Sequence, residues 1–241
     1  MKIITKKINN TVIFYDKDIE INIEDLFLSK VFETNENTNV EWINNNTWVK
    51  KHYFRKGMMR FMSDNYLYKP LYETRSYKEF SLLNYLYHEN FQTCRPIMGW
   101  VDYNSLSYKA NLITESIPAV TFDKFLLSIN NLPSHSQSDL KHKVYRSIGL
   151  LVSKMHMLGV NHGDLNMTNI LVNEERINHD NTNKNIWIID FDKSMKANLI
   201  LSKEAKNLNI KRFKRSILKK KLFDQESFNH FLDEYEAHSR D

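Results

Sequence analysis

The segment spanning residues 160–193 constrains the fold of this chain more than any other stretch. It holds two short apolar runs, residues 170–172 and 186–189, whose length and β-branched side chains are typical of buried strands. The residues that separate them, 173–185, are rich in Asn and Asp, which favour turns. The segment therefore predicts two strands that pair as a hairpin.

Acidic and amide side chains stand at the ends of both predicted strands. Asp164 and Asn169 precede the first run, and Asp190 follows the second. Because pairing brings the loop before one strand next to the end of the other, we expect these three side chains to surround one small volume. The plainer interpretation is a hairpin whose acidic residues are merely solvated.

Phosphoryl transfer is the chemistry that needs such a set, because the protein has to position a hydroxyl group and neutralise phosphate charge. Mg²⁺ prefers oxygen ligands and keeps several waters, so the Asp190 carboxylate and the Asn169 amide oxygen suffice to hold it. Asp164 is then the base that accepts the proton of the attacking hydroxyl. The order D-x-x-x-x-N, then a strand, then D-F, is that of the protein-kinase catalytic machinery.

That order predicts an α+β, protein-kinase-like fold with two lobes. We expect residues 1–116 to form a small N-terminal lobe with an antiparallel sheet and one helix, which covers the nucleotide. Residues 117–241 are then the larger, mainly helical lobe, with the catalytic loop, the metal site and basic terminal helices. The expected cofactors are ATP and Mg²⁺.

A lysine on a strand of the N-terminal lobe is expected to reach the phosphates of ATP. Alternation along the strand predicted over residues 47–53 places Lys50 and Lys51 on opposite faces. We favour Lys51 as the inward lysine, with Lys50 as the alternative. Glu79, in the next predicted helix, is a candidate partner for that lysine. Because it falls three residues after Ser76, a capping-box role for Glu79 also stays open.

Two further parts of a nucleotide site have weaker signatures. Kinases bind adenine through the backbone that connects the lobes, which makes Glu115 and Ile117 positional candidates. Residues 1–46 contain no glycine, so a glycine-rich phosphate loop is absent there. Asn44–Asn46 is a candidate replacement, because Asn tolerates left-handed backbone; an ordinary hairpin turn is the alternative.

The net charge and the cysteine content indicate which partners and which cellular compartment to expect. The net charge of +5 and the pI near 9.0 favour anionic partners such as nucleotides, phosphorylated lipids or nucleic acid. The single cysteine, Cys94, permits no internal disulfide, and a reducing cytoplasm is expected. No apolar run approaches the length of a membrane-spanning helix and no apolar signal segment follows the N-terminal lysines, so secretion and membrane insertion are disfavoured.

Basic residues cluster in two other places. The tail from Lys203 is predicted to be helical, and its basic residues interleave with apolar ones. A solvated helix face is the plain interpretation, and a surface for anionic lipid headgroups is the alternative. The turn after the lysine strand carries Arg55, Lys56 and Arg60, which are candidates for anion contacts.

These motifs together resemble the sugar kinases of the lipopolysaccharide core, the family of the 3-deoxy-D-manno-octulosonic acid (Kdo) and heptose kinases. The pattern W-V-x-[KR]-H-Y-x-R is matched by Trp48, Val49, Lys51, His52, Tyr53 and Arg55. R-x-x-x-E-F is matched by Arg75, Glu79 and Phe80. H-G-D-L-N-x-x-N-I-L begins at His162, and I-D-F-D begins at Ile189. The chain departs from the family at Lys56-Gly57, where relatives carry paired glycines.

The resemblance covers essentially the whole chain. It implies an ATP-dependent enzyme that phosphorylates the 4-hydroxyl of Kdo on a lipid A precursor, at the cytoplasmic face of the inner membrane. It also implies that Asp164 is the catalytic base and that Asn169 and Asp190 bind the metal. A peripheral protein on an anionic membrane surface is the expected setting, with no nucleic-acid partner.

Two alternatives stay open from the sequence. Related machinery phosphorylates other hydroxyls, such as those of heptoses, aminoglycosides or protein tyrosines. The H-G-D-L and I-D-F blocks are shared with aminoglycoside and choline kinases. A non-enzymatic interpretation treats the basic tail as a nucleic-acid-binding surface, which predicts salt-sensitive binding. It leaves Asp164, Asn169 and Asp190 without a role.

Overall fold

The computed structural model describes six stretches of the chain, residues 2–20, 22–28, 39–54, 64–177, 182–198 and 200–239. The chain divides into two compact units. The sheet unit comprises Met1–His88 and Cys94–Ile117, and the helical unit comprises Glu89–Thr93 and Pro118–Asp241. The division into functional lobes at residues 1–116 and 117–241, expected from the sequence, remains a prediction.

Among the described residues, the sheet unit contains seven strands and two α-helices. The strands are β1 (Ile3–Ile8), β2 (Thr11–Asp16), β3 (Val40–Ile43), β4 (Trp48–His52), β5 (Tyr66–Leu67), β6 (Pro96–Tyr103) and β7 (Ser107–Glu115). The helices are α1 (Ile23–Leu28) and α2 (Arg75–His88). The strands form one sheet in the order β1-β2-β6-β7-β4-β3, and β5 also pairs with β7. Every pairing is antiparallel.

Side chains that alternate along β2 cover both faces of this sheet. Phe14 is fully buried, and its ring meets the α2 ring of Phe80 edge-on at 5.2 Å. The neighbouring residue Ile13 belongs instead to the apolar cluster that contains Ile23 of α1 and Trp100 of β6. Because successive side chains of a strand point to opposite faces, α1 and α2 pack on opposite sides of the sheet.

The turn between β3 and β4 is the predicted asparagine turn. Asn44, Asn45 and Asn46 all have positive φ, at 50°, 53° and 64°. Thr47 closes the turn, because its backbone amide donates to the Asn44 carbonyl at 3.1 Å. Asparagine is the residue other than glycine that adopts this backbone most readily, so three in succession suit the tight connection.

Within its described residues, the helical unit contains four α-helices and five short strands. The helices are α3 (Phe122–Ser128), α4 (Ser134–Met157), α5 (Lys203–Lys219) and α6 (Gln225–His238). The strands are β8 (Val120–Thr121), β9 (Val160–Asn161), β10 (Ile170–Val172), β11 (Ile186–Ile188) and β12 (Met195–Lys196). They form two small sheets, β11-β10-β8 and β12-β9.

The predicted hairpin is confirmed. β10 and β11 pair antiparallel, with Ile170 opposite Ile188 and Val172 opposite Ile186. These four side chains are almost completely buried. The pairing therefore sets the loop before β10 next to the residues that follow β11.

The spacing of Ser136 and Asp139 predicts a capping box at the start of a long helix that Gly159 ends, but α4 begins earlier than that capping box. It starts at Ser134, directly after Pro133, and the Gln137 amide donates to the Pro133 carbonyl at 2.9 Å. Ser136 is thus inside the helix, and the cap expected there is wrong. The helix ends as predicted before Gly159, whose φ is 74°. α4 packs so closely on α6 at Gly149 that a Cβ atom there would overlap the Phe231 carbonyl oxygen.

Several sequence expectations fall outside the described residues. The sequence predicts an amphipathic helix over residues 23–32, and the structure describes it as α1 only over Ile23–Leu28. The anion-contact candidates Arg55, Lys56 and Arg60 and the departure at Gly57 also lie outside. Among the helices that the structure describes, none is both long and apolar enough to cross a membrane.

Candidate active site

A buried histidine fixes the loop that carries Asp164. The Nε2 atom of His162 lies 3.0 Å from the Ile189 carbonyl oxygen, and the Asp164 amide donates to His162 Nδ1 at 3.2 Å. The first contact requires a proton on Nε2 and the second requires none on Nδ1, so the ring is a neutral imidazole. Burial lowers the pKa of His162, which agrees with this assignment. The ring therefore joins the Asp164 loop to the segment after β11.

Asn169 is held against the backbone of Asp164. Its Nδ2 atom donates to the Asp164 carbonyl at 2.9 Å, and the side chain is 8% exposed. With the amide nitrogen committed in this way, Oδ1 is the atom of Asn169 that can ligate a metal. Asn166 adds a second bond to the Asp164 carbonyl at 3.0 Å. The loop is thus braced by two amide side chains.

Asp190 follows β11 with left-handed backbone at φ 63°. The preceding residue, Ile189, donates its amide to the Asn169 carbonyl at 2.9 Å and accepts from His162 through its own carbonyl. These bonds tie Asp190 to the loop that carries the other two residues. Left-handed backbone is uncommon for residues other than glycine, and it often marks functional positions. The structure thus gathers the predicted trio, Asp164, Asn169 and Asp190, at one end of the β10–β11 hairpin.

Lys193 is the residue of this site to which sequence reasoning gave no role. Its Nζ atom lies 2.9 Å from Oδ2 of Asp164, and both side chains are about half exposed. Its backbone is packed against Gly163, where an added Cβ atom would overlap the Lys193 carbonyl oxygen. The two residues of the ion pair are 29 positions apart, so no local spacing could have indicated the contact.

The ion pair also lowers the pKa of Asp164. Partial burial by itself would raise the pKa of the Asp164 carboxyl. The hydrogen bond and positive charge of Lys193, together with Asn166, outweigh burial and the repulsion from Asp190, so the pKa lies below its ordinary value of 3.8. Asp164 is therefore ionised at neutral pH, as a base must be.

In the sheet unit, Lys51 and Glu79 form an ion pair. Lys51 Nζ lies 3.0 Å from Oε1 and 2.9 Å from Oε2 of Glu79, whose side chain is only 3% exposed. The hydroxyl of Tyr53 also donates to Glu79 Oε2. Tyr53 stands two residues beyond Lys51, on the same face of the strand. These contacts hold the Glu79 carboxylate at β4.

The capping-box interpretation of Glu79 is wrong. α2 begins at Arg75, so Ser76 is a buried residue inside the helix and not its cap. The Ser76 hydroxyl points to the sheet, 3.5 Å from the Trp100 carbonyl oxygen. Lys50, the alternative to Lys51, is 3% exposed and meets Glu41 of β3 at 3.3 Å.

Glu115 and Ile117 stand at the end of β7. The Glu115 amide donates to the Arg95 carbonyl at 2.8 Å, and its carboxylate lies 3.5 Å from the Arg95 guanidinium. Ile117 is half-buried and is the last residue of the sheet unit.

The donor atoms near Asp164 fit a hard divalent cation. Asn169 can offer an amide oxygen and Asp190 a carboxylate, and Mg²⁺ is held by few protein oxygens with water completing its shell. Two carboxylates and an amide on one loop-and-hairpin frame, with the Asp164 carboxylate ionised, are what phosphoryl transfer requires. This site and the Lys51–Glu79 pair define a protein-kinase-like phosphotransferase.

Comparison with solved structures confirms that fold. A structure titled "WaaP in complex with acyl carrier protein" matches with a TM-score of 0.59 over 85% of this chain and 77% of that chain. Its sequence is 15% identical, so this likeness concerns the fold alone. The predicted α+β, protein-kinase-like class is thereby confirmed.

Curated relatives identify the family more closely. A Vibrio cholerae protein named 3-deoxy-D-manno-octulosonic acid kinase is 36% identical over 70% of this chain, and the match spans 64% of that protein. A Vibrio parahaemolyticus protein of the same name is 31% identical over 89% of both chains. A third, from Mannheimia succiniciproducens, is 34% identical over 70% of this chain and 65% of its own length.

The model of the lipopolysaccharide kinase (Kdo/WaaP) family matches residues 29–235. The chain belongs to this family. The resemblance drawn from the motifs is therefore confirmed, and with it the prediction of an enzyme of the kinase class, for which ATP is the implied phosphoryl donor.

Proposed function

We propose that this chain transfers the γ-phosphoryl group of ATP to the 4-hydroxyl of the Kdo sugar on a lipid A precursor. The observation that carries the proposal is the grouping of Asp164, Asn169 and Asp190 around one hairpin end, with the Asp164 carboxylate paired to Lys193. The names of the curated relatives support Kdo as the acceptor. The attacked hydroxyl follows from the family resemblance.

Asp164 is the proposed general base. Its carboxylate accepts the proton of the acceptor hydroxyl as the oxygen attacks the γ-phosphorus, and the bond from that phosphorus to the β-γ bridging oxygen breaks. The neutral His162 and the amides of Asn166 and Asn169 keep the loop in place without adding a competing charge. These contacts therefore hold the Asp164 carboxylate in position for the proton transfer.

Asn169 and Asp190 are the proposed ligands of Mg²⁺. A bound Mg²⁺ would supply charge neutralisation for the phosphates. The contribution of the chain is to present one amide oxygen and one carboxylate from two segments that the Ile189–Asn169 backbone bond holds together. The left-handed backbone at Asp190 directs the chain away from β11 immediately after the hairpin.

The proposed role of Lys51 is to contact the phosphates of ATP. Glu79 and Tyr53 would orient its ammonium group, since a flexible lysine loses less entropy on binding when a buried carboxylate already positions it. Glu115 and Ile117 are proposed to bind adenine through their backbone groups at the end of β7. The proposal for these two residues rests on their position in the chain.

The exposed side of α5 is the proposed contact with an anionic membrane surface. Phe213 and Ile217 face the core and are fully buried. The opposite side of the helix is exposed and basic, with Lys211, Arg212, Arg215 and Lys219. Such a helix face attracts anionic headgroups, and this would place the enzyme on the cytoplasmic face of the inner membrane, where its lipid-linked acceptor lies.

The test is the identity of the product. The purified chain with labelled ATP and Mg²⁺ should phosphorylate a Kdo-lipid A precursor, and NMR of the product should place the phosphate on the 4-hydroxyl. Asp164→Asn should slow labelling roughly 10²–10⁴-fold, whereas Asp233→Asn, an exposed aspartate of α6, should leave it unchanged. If a heptosylated core or an aminoglycoside is labelled and the Kdo-lipid is not, the proposed acceptor is wrong.

A further inference from the structure

Lys193 is positioned by its own backbone at the carboxylate of the catalytic base. The contact of its carbonyl with Gly163 fixes the start of the side chain, and the Nζ atom reaches Asp164 Oδ2 at 2.9 Å. Lys193 is 59% exposed and Asp164 is 43% exposed, so both can be approached from solvent. The pair therefore forms a short contact that solvent and a ligand can reach.

Asn169 and Lys193 contact different groups of Asp164. Asn169, a proposed metal ligand, touches the backbone carbonyl of Asp164, whereas Lys193 touches the carboxylate itself. A hydroxyl that gives its proton to this carboxylate has to come within hydrogen-bonding distance of it. The acceptor sugar and the Lys193 ammonium group therefore share the same carboxylate, and substituents near the hydroxyl come within reach of Nζ.

We propose that Lys193 binds the carboxylate of the acceptor and so selects a sugar acid over a neutral sugar. This inference rests on the proposed function and names the residue that recognises the substrate. A carboxylate that approaches Asp164 and Asp190 meets two negative charges, and a cation has to compensate for them. Lysine suits this task, because its ammonium group sits on a flexible stem and can contact two carboxylates at once. A neutral sugar needs no such compensation.

The experiment is a cycle of two acceptors and two enzymes. The acceptors are the Kdo-lipid precursor and the same glycolipid with its Kdo carboxylate converted to a carboxamide. For the unaltered enzyme, we expect kcat/KM for the acid to exceed that for the amide by roughly 10- to 100-fold, the range of a charged hydrogen bond. For Lys193→Met, that preference should fall close to one. Lys193→Arg should keep most of it.

The matched control is Lys184→Met. Lys184 is also exposed, but it precedes β11 and so lies at the other end of the hairpin from Asp190. This variant should keep the preference of the unaltered enzyme. Equal melting temperatures of Lys193→Met and the unaltered enzyme would show that the variant is folded. The preference of the unaltered enzyme for the acid over the amide can be measured without any variant.

The possible outcomes separate the two proposals. A Lys193→Met enzyme that keeps the full preference for the acid overturns the inference. An equal loss on both acceptors also overturns it, because Lys193 would then act on the base and not on the substrate. An unaltered, folded enzyme that phosphorylates neither acceptor contradicts the proposed function itself, whatever Lys193 does.

Discussion

The ammonium group of Lys51 lies within 3.0 Å of both carboxylate oxygens of Glu79, a residue 28 positions further along the chain. Glu79 is almost completely buried and also accepts from the Tyr53 hydroxyl. A buried carboxylate with two donors is held in one place, so the lysine that pairs with it is held as well. The contact joins β4 to α2, and a quarter of the Lys51 side chain is exposed to solvent.

Removal of either partner should therefore impair nucleotide use. We expect Lys51→Met to lower kcat/KM for ATP on the order of 10- to 100-fold, the range of one charged hydrogen bond to a phosphate. Glu79→Gln should have a smaller effect in the same direction, because it frees the lysine without removing it. Steady-state kinetics with varied ATP measures both.

Lys50→Met is the matched control for this prediction. Lys50 is adjacent in sequence and also pairs with a glutamate, Glu41, but on the other face of β4. We expect its kcat/KM for ATP to stay within a few-fold of the unaltered enzyme. A loss equal to that of Lys51→Met would contradict the assignment of Lys51.

Gly163 should tolerate no side chain. A Cβ atom there would overlap the Lys193 carbonyl oxygen, so Gly163→Ala has to shift the loop that carries Asp164. Overpacking of this kind costs about 1–3 kcal/mol of unfolding free energy. We expect a loss of that size in urea unfolding and a fall in kcat. Because the atom struck belongs to the backbone, addition of Lys193→Ala should rescue neither quantity.

The stability of the helical unit should fall in acid because of His156. This side chain is buried in α4, with Nδ1 2.9 Å from the Tyr235 hydroxyl. Burial, with Lys206 and His162 nearby, lowers the pKa of His156 from 6.5 to about 3. The folded state thus excludes a proton that the unfolded chain takes up below pH 6.5, so stability is full above that pH and is lost as the pH falls towards 3.

We expect His156→Gln to flatten this pH dependence. The amide keeps a partner for Tyr235 but does not titrate, so the loss of unfolding free energy between pH 7 and pH 5 should shrink by about 2 kcal/mol. Urea unfolding at both pH values measures it. His135→Gln, at an exposed position of α4, should keep the original slope. An unchanged slope for His156→Gln would show that other groups govern acid unfolding.

Vesicle binding tests the basic face of α5. Replacement of Lys211, Arg212 and Arg215 by glutamine should weaken binding to anionic vesicles by about 1 kcal/mol for each residue, and added salt should reduce the difference. The control carries the same charge change on β1 and its approach, at the exposed Lys2, Lys6 and Lys7. Equal weakening by the two triple variants would assign the effect to net charge and not to α5.

Much of the candidate site could be predicted because its signal is local. The length and β-branched content of the two apolar runs indicate β10 and β11, and strand pairing then brings Asp164, Asn169 and Asp190 together. The first residues of the helices were harder to predict from the sequence. A serine followed at the right spacing by an acid indicates a cap, but at α4 the chain starts its helix directly after Pro133, and at α2 the carboxylate of Glu79 has a stronger partner in Lys51.

Lys193 could not be found in this way, for a physical reason. Its contact with Asp164 depends on the close approach of two backbone segments at Gly163, which is a property of packing and has no period in the sequence. The chain also has 34 lysine and arginine residues, and the sequence alone does not show which of them lies next to Asp164.

The rate of phosphoryl transfer by Asp164→Asn tests the central claim most directly. In a single-turnover experiment with saturating Mg²⁺-ATP and the Kdo-lipid acceptor, we predict a rate roughly 10²–10⁴-fold below that of the unaltered enzyme, the usual contribution of a general base. Nucleotide binding should remain, because Lys51 and Glu79 are unchanged. A rate close to that of the unaltered enzyme would contradict the assignment of Asp164 as the base.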